Sequence, residues 1–364
     1  MKRILYYMHV DWRWIKQRPH FLAEELSEYY KVNVIHEILY GSNKQKKSKN
    51  RIANLKLTAM PHIPFCRFDS IFNINAFIMN RILLRNRIKK ADVIWMGSPL
   101  HYKYVKRKEG QTLVYDCMDD LMGFSFPENI KKRYIKYEAE LCKDADIIFA
   151  SSLDLKRKLA ERYDRHDVKL VNNAISSNLR RDCGLPDDIR MHFDKSDGTK
   201  KMVYIGTISE WFDFDSVLRV LSECDKVELL LFGPADVEIP QHNRIKYCGI
   251  AEHKNIYGIM GKADALVMPF VLNELIMSVD PVKAYEYIYA YKPIIMPRYP
   301  ESEKFSEYVN LYSGERELLE IVKRLQSGNL EMKKSKEEYV LFAESNTWRN
   351  RAQKIHSYLS DLKK

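Results

Sequence analysis

The chain has 364 residues, 46% hydrophobic and 30% charged, a globular composition too long for one ordinary core, since cores tend to divide beyond roughly 250 residues. No run of about 18 uncharged apolar residues is present to span a bilayer, and the six scattered cysteines lack the CxxC or Cys/His spacing of a zinc site and read as core thiols. The formal charge of +11 is uneven: residues 1–200 carry 38 Lys+Arg against 25 Asp+Glu and residues 201–364 carry 22 against 24, which suggests that the first half faces something anionic, a membrane surface, a lipid phosphate or a nucleic acid.

The segment RILYYMH predicts a first buried strand; about five apolar residues before His9 and Asp11 are too few for the core of a signal peptide. After the loop HVDWRWIKQRPH, helical spacing begins at RPHFLAEELSEYY, and the strand VNVIHEIL leads into a basic loop, KQKKSKN at 44–50. RILLRNRIKK predicts a helix, followed by the strands DVIWMGS and TLVYDC, the helix ENIKKRYIKYEAELCK, the strand DIIFAS, the helix SLDLKRKLAERY and the strand VKLVNN. SSNLRRDCGLPDDIRMHFDKSDGTK is polar and aperiodic, the expected linker. A second series of buried strands, MVYIG, VELLLFG, RIKYCG, ALVMPF and PIIMP, follows, and the tail beyond about residue 329 reads as helix, with Asn346-Thr347 offering a cap. Alternation of this kind predicts an α/β protein of two doubly wound units, with residues 1–180 as the first domain, 181–200 as linker, 201–345 as the second and 346–364 as a terminal helix.

In doubly wound sheets ligands bind outside the carboxyl ends of the strands, so candidate residues lie just after strands. In VDPVKAYEYIYAYKPIIMP, Pro281 is expected at the first helical position. Free amides there favour phosphate oxygens, Lys283 adds a charge and Glu286 would accept hydrogen bonds from a ribose diol, although an ordinary solvated i,i+3 pair fits the same spacing. Asp119 and Asp120 follow TLVYDC; adjacent carboxylates repel, which raises the pKa of one and suits a general base, while helix capping or loop hydration is the alternative. Asp116, inside the strand, reads as structural. Arg18 and His20 open a helix and would hold a phosphate or polarise a hydroxyl of a ligand, an ordinary helix-start arginine being the alternative, and Trp12, Trp14 and Trp211 would stack on a ligand or pack the hinge. Phe270, Glu274 and Met277 line the loop before the Lys283 helix. Of two Asp-x-Asp strings, Asp144-Ala-Asp146 precedes its strand and Asp213-Phe-Asp215 starts a helix, so no metal is expected.

The run DPVKAYEYIYAYKPII, with YIGTISEWFD, LLLFGP, VNNAI, TWRNRAQKI, WxxxRPHFLAxxL and VYDxxDD, resembles the GT-B glycosyltransferases of bacterial cell-surface polysaccharide synthesis across most of the chain. The resemblance implies two Rossmann-like domains facing across a cleft, the first for the acceptor and the second for a nucleoside-diphosphate sugar, by default UDP-linked, with the terminal helix returning to the first. It also implies that Lys283 contacts the diphosphate, Glu286 the ribose and the turn at Gly206 and Thr207 the leaving phosphates, with Tyr287 and Phe270 beside them, and that Asp119 is the base with Asp120 second. The E-x7-E pattern of many retaining members needs Glu at 278, where this chain has Ser278, so the resemblance leans to an inverting, xanthan-glucuronosyltransferase-like branch. The expected acceptor is a glycan or a polyprenyl-diphosphate-linked glycan, reached by a cytoplasmic protein resting on the inner face of the cell membrane. The contacts expected there are Lys44, Lys46, Lys47 and Lys49, and Arg81, Arg85 and Arg87 beside Ile82, Leu83 and Leu84. A retaining transferase, a sugar-nucleotide epimerase and a nucleic-acid-binding protein are the competing readings; no recognised nucleic-acid-binding module supports the last.

Overall fold

Runs that are apolar at every position require strands covered on both faces. The computed structural model of the chain, which describes residues 1–14, 16–38, 52–60, 65–176, 184–193 and 198–362, has two sheets in which every strand pair is parallel. The first is built from β1 (Arg3–Met8), α1 (Arg18–Leu26), β2 (Lys31–Glu37), β3 (Leu55–Met60), α2 (Asp69–Phe77), α3 (Arg85–Lys90), β4 (Val93–Met96), β5 (Thr112–Cys117), α4 (Glu128–Asp144), β6 (Ile147–Ala150), α5 (Leu153–Tyr163) and β7 (Lys169–Leu170), in the order β3-β2-β1-β4-β5-β6-β7. The second is built from α6 (Asp187–Arg190), β8 (Lys200–Ile205), α7 (Phe214–Glu223), β9 (Val227–Phe232), β10 (Ile245–Tyr247), α8 (Ile256–Lys262), β11 (Ala265–Val267), α9 (Glu274–Met277), α10 (Val282–Ala290), β12 (Ile294–Pro297), β13 (Asn310–Tyr312), α11 (Glu315–Gln326) and α12 (Lys336–Ser345), in the order β10-β9-β8-β11-β12-β13. The last helix, α13 (Trp348–Asp361), belongs to the first unit, which comprises Met1–Ala174 and Trp348–Lys364; Ile175–Thr347 is the second.

Alternation along β1 fills both sides of the first sheet. Ile4, Tyr6 and Met8 join Val34, Trp95 and Phe149 in a core closed by α1 and α13, while Leu5 and Tyr7 join Ile35, Ile94 and Met96 on the other face. α13 is held by Trp348, stacked on Phe21 of α1 with centroids 5.4 Å apart, and by Arg351, which donates to the carbonyls of Asn172 and Asn173. In the second unit Val203, Ile205 and Leu230 pack against α10, and Met202, Leu229 and Leu231 against α7 and α11. Each such side chain contributes about 1.5–3 kcal/mol when fully buried.

Several segments differ from the sequence expectation. β3 and β13 were not foreseen: β3 (LKLTAM) is an edge strand with Lys56 exposed, and β13 has three residues. The segment 81–90 is not one helix. A π-helical stretch, Ile78–Leu83, ends where the Leu84 amide bonds to the Met79 carbonyl at 2.8 Å, and α3 starts afresh at Arg85. Within the polar connecting segment, Leu185 and Phe193 are buried in the core of the second unit.

Strand order reverses between β1 and β4 in one sheet and between β8 and β11 in the other, so each unit opens a crevice at the carboxyl ends of those strands. At the second, the loops after β8 and β9 meet so closely that a Cβ on Gly233 (φ +143°) would lie 1.9 Å from the Gly206 carbonyl oxygen, which restricts that position to glycine.

Candidate functional site

In the second unit the reversal point is framed by the loop after β8, the loop after β11 and the start of α10. The first two are laced together: Val271 N–H donates to the Trp211 carbonyl at 2.9 Å, Asp213 N–H to that of Pro269 at 2.8 Å, and Phe212 bridges Phe270. Phe270 packs edge-on to Tyr204, whose hydroxyl donates to the Thr207 carbonyl at 2.8 Å, so Thr207 is fixed from below. α10 is tied to the same place by Tyr287, whose hydroxyl accepts the Ile205 amide at 2.9 Å. Tyr287 is fully buried, which corrects its expected role: it is a strut that holds the helix start beside Gly206, not a group that meets a ligand. α10 begins at Val282, with Pro281 preceding the first helical residue instead of occupying it. Lys283 stands on its first turn and Glu286 three residues on, with Nζ and Oε2 2.7 Å apart, both partly exposed, so the pair is closed on itself. Before it, Ser278 is buried in the loop and its hydroxyl donates to the Glu274 carbonyl at 3.3 Å; Glu274 is exposed at the start of α9 and Met277 packs on the core.

In the first unit the two adjacent carboxylates separate. Asp120 is buried, with Lys158 at 2.8 Å and Arg162 at 2.9 Å, both from α5, and it accepts the Met122 amide at 3.2 Å. Burial acts to raise its pKa, but the hydrogen bonds from Arg162 and Lys158 outweigh it and hold the carboxyl below its ordinary value. Asp120 is therefore a structural anion and no substitute base. Asp119 is half-buried, and among the described residues nothing bonds to its carboxylate. Burial, opposed by Arg18 and reinforced by Asp116 and Asp120, pushes it up to about 6, where a carboxylate at neutral pH is ionised yet basic enough to take a proton.

Arg18, expected at an acceptor, is instead buried on Asp116, with Nη2 2.7 Å from Oδ1, and donates through Nη1 to the Val171 carbonyl at 2.6 Å. It fastens the start of α1 to β5 and to the end of β7. His20 is buried too: its Nδ1 accepts the Gln17 amide at 3.2 Å as part of the helix cap, its ring lies against Trp12, and burial lowers its pKa to about 4. Trp14 packs half-buried on the same core. Arg18→Ala would strand Asp116 and is expected to cost about 3–5 kcal/mol in urea denaturation of the full chain; a loss below about 1 kcal/mol would return the guanidinium to the list of ligand contacts.

Sequence reasoning passed over His9, Glu37 and His101. His9 follows β1 at the reversal point, its Nδ1 is buried with no hydrogen-bond partner among the described residues, and burial first, then His101, lowers its pKa to about 4. His101 Nε2 stands 2.7 Å from Glu37 at the end of β2. A histidine directly after a first strand was the available signal; the His101–Glu37 pairing, 64 residues apart, left none. Of the Asp-x-Asp strings, Asp213 caps α7 through the Ser216 amide, Asp144 accepts from Tyr102 and Asp146 from Arg107. Among the described residues no three His, Cys, Asp or Glu side chains stand together as a metal site.

Solved structures of the same architecture match the chain from end to end. Sucrose-phosphate synthase from Thermosynechococcus elongatus superposes with a TM-score of 0.73 at 12% identity, over 100% of this chain and 99% of that one. Anabaena Alr3699/HepE, solved with UDP-glucose, gives 0.70 at 14% identity over 99% and 100%. The chain has the GT-B fold. A putative UDP-N-acetylglucosamine 2-epimerase from Listeria monocytogenes is similar at a TM-score of 0.54 and 12% identity, over 99% and 96%. No family profile and no curated protein matches the sequence.

Proposed function

We propose that this GT-B chain is a metal-independent glycosyltransferase that moves a sugar from a nucleoside-diphosphate sugar, UDP-linked by analogy with the ligand of HepE, to a glycan or lipid-linked glycan, with inversion. The observation that carries it is the Lys283–Glu286 pair at the start of α10, held beside the Gly206 turn at the reversal point of the second unit by the Tyr287–Ile205 bond. The helix-start amides and Lys283 receive the diphosphate and stabilise it as it leaves, and Glu286 receives the ribose hydroxyls once Lys283 is drawn to phosphate. In the first unit, Asp119 takes the proton of the acceptor hydroxyl. A thermal-shift panel of nucleoside diphosphates and sugar nucleotides tests the donor, because a ligand bound only by the native state stabilises it by mass action. A clear shift with one of them supports the reading. An unchanged melting temperature with every nucleotide overturns it, and turnover of a sugar nucleotide without acceptor, unaffected by EDTA, assigns an epimerase instead. Product anomeric configuration, read by NMR, separates inversion from retention.

The first unit is also proposed to rest on an anionic membrane. Ile82 and Leu83 are 59% and 54% exposed beside Arg81 and Arg85 on the segment joining α2 to α3, and no described helix is long and apolar enough to cross a bilayer. Leu84, expected at this surface, is instead buried at 1%, and Lys44, Lys46, Lys47 and Lys49 lie outside the described residues. Each cation near such a surface contributes about 1 kcal/mol. Sedimentation with anionic vesicles is expected to fall with salt and on Arg81→Glu, Arg85→Glu, Arg87→Glu together; equal partitioning to neutral vesicles would remove the membrane from the proposal.

A further inference from the structure

Behind the start of α10 the second unit buries two carboxylates against one ammonium group. Asp280 and Glu301 are each 1% exposed, and Lys304 Nζ lies 2.6 Å from Asp280 Oδ1 and 2.8 Å from Glu301 Oε2. Two separate stretches supply these charges. Asp280 stands two residues before Val282, the first residue of α10, whereas Glu301 and Lys304 belong to the loop after β12. That loop is braced from within and against the α10 entry: Ser302, fully buried, accepts the Tyr299 amide at 2.8 Å, and the Tyr299 hydroxyl donates to the Val279 carbonyl at 3.2 Å. From α10 itself, Tyr285 donates its hydroxyl to Asp280 at 3.3 Å and meets the Phe305 ring edge-on.

Buried ion clusters are poor stabilising devices, because removing the charges from water costs about as much as their attraction returns, and apolar side chains of similar volume often do as well. The position of this one gives it another use. Asp280 lies within about 8 Å along the chain of the free amides that open α10, where the diphosphate is proposed to bind. Carboxylates buried there are weakly screened and repel an incoming anion. Lys304 offsets that repulsion.

We infer that Lys304 is a positioning residue of the donor site: acting through Asp280 and Glu301, it compensates the charge behind the start of α10 and keeps that helix start receptive to phosphate. This rests on reading α10 as the helix that receives the diphosphate. Calorimetric titration of the full chain with UDP, GDP and ADP tests it. The nucleotide that the wild type binds is expected to bind Lys304→Met about ten- to a hundredfold more weakly, and Lys304→Arg within about threefold of wild type. The double variant Lys304→Met, Asp280→Asn returns the cluster to its original net charge and is expected to recover affinity to within about threefold of wild type, whereas a purely structural cluster loses further affinity when both contacts are removed. Unchanged affinity in Lys304→Met, or a double variant no better than Lys304→Met alone, overturns the inference and leaves the donor reading standing. Where Lys304→Met fails to fold, Asp280→Asn alone decides: it keeps the lysine and removes one carboxylate, so equal or tighter binding is expected, and a loss beyond about threefold overturns the inference. A wild-type chain that binds none of the three nucleotides removes the donor reading, and this inference with it.

Discussion

Asp119→Asn is expected to reduce sugar transfer by roughly 10²–10⁴-fold while nucleotide affinity stays within about twofold, because a general base acts on the transition state and not on ground-state donor binding. The variant is nearly isosteric, and among the described residues no ion pair is lost with the charge. The pH dependence gives an independent check. A base must be deprotonated to work, so with a carboxyl raised to about 6 the wild-type rate should be full above that value and fall as pH drops through it. The stability effect has the opposite sign to the usual carboxylate: a folded-state pKa above the unfolded one means that ionising the group above about 6 costs stability, so Asp119→Asn should melt no lower than wild type at pH 8 and somewhat higher. A slow variant with unaltered or raised melting temperature identifies chemistry. Transfer within a few-fold of wild type would dismiss Asp119 and turn attention to His9, a partly buried titratable group after β1 whose Nδ1 has no hydrogen-bond partner among the described residues.

Lys283→Ala and Glu286→Ala are each expected to weaken donor binding by about 1.5–3 kcal/mol, roughly 10- to 150-fold, the worth of a charge-assisted hydrogen bond to a ligand. The mutual 2.7 Å bond is a partly exposed i,i+3 contact and contributes only about 0.5 kcal/mol or less to the fold, so melting temperatures should move by no more than a degree or two. The contrast between a large binding loss and a small stability loss is what separates a ligand site from a surface ion pair. Calorimetry with UDP resolves the first and a thermal melt the second; unchanged UDP affinity in both variants would leave the pair as helix decoration.

Local pattern carried much of the architecture. Strands such as β1, β5 and β9 are apolar at almost every position because both faces are covered, and that requirement is written in consecutive residues. So is the start of α10, where the spacing of Lys283 and Glu286 places both on one turn. β3 escaped because this edge strand fully buries only Met60 and shows no regular alternation, and Leu84 escaped because the π-helical turn before it rotates the chain out of the α-helical register assumed for 81–90.

What sequence could not decide was which polar side chain is free to act, since that depends on partners far along the chain. Asp119 and Asp120 give one indistinguishable signal, yet Lys158 and Arg162, 38 and 42 residues away, neutralise only the second, leaving the first in a desolvated pocket with a raised pKa. Arg18, foreseen as a ligand contact, meets Asp116 across 98 residues and is used up in the core. A sequence determines which groups it contains and which faces they share on one helix or strand; desolvation and charge pairing, the two terms that set reactivity, are settled only when separate elements are brought together.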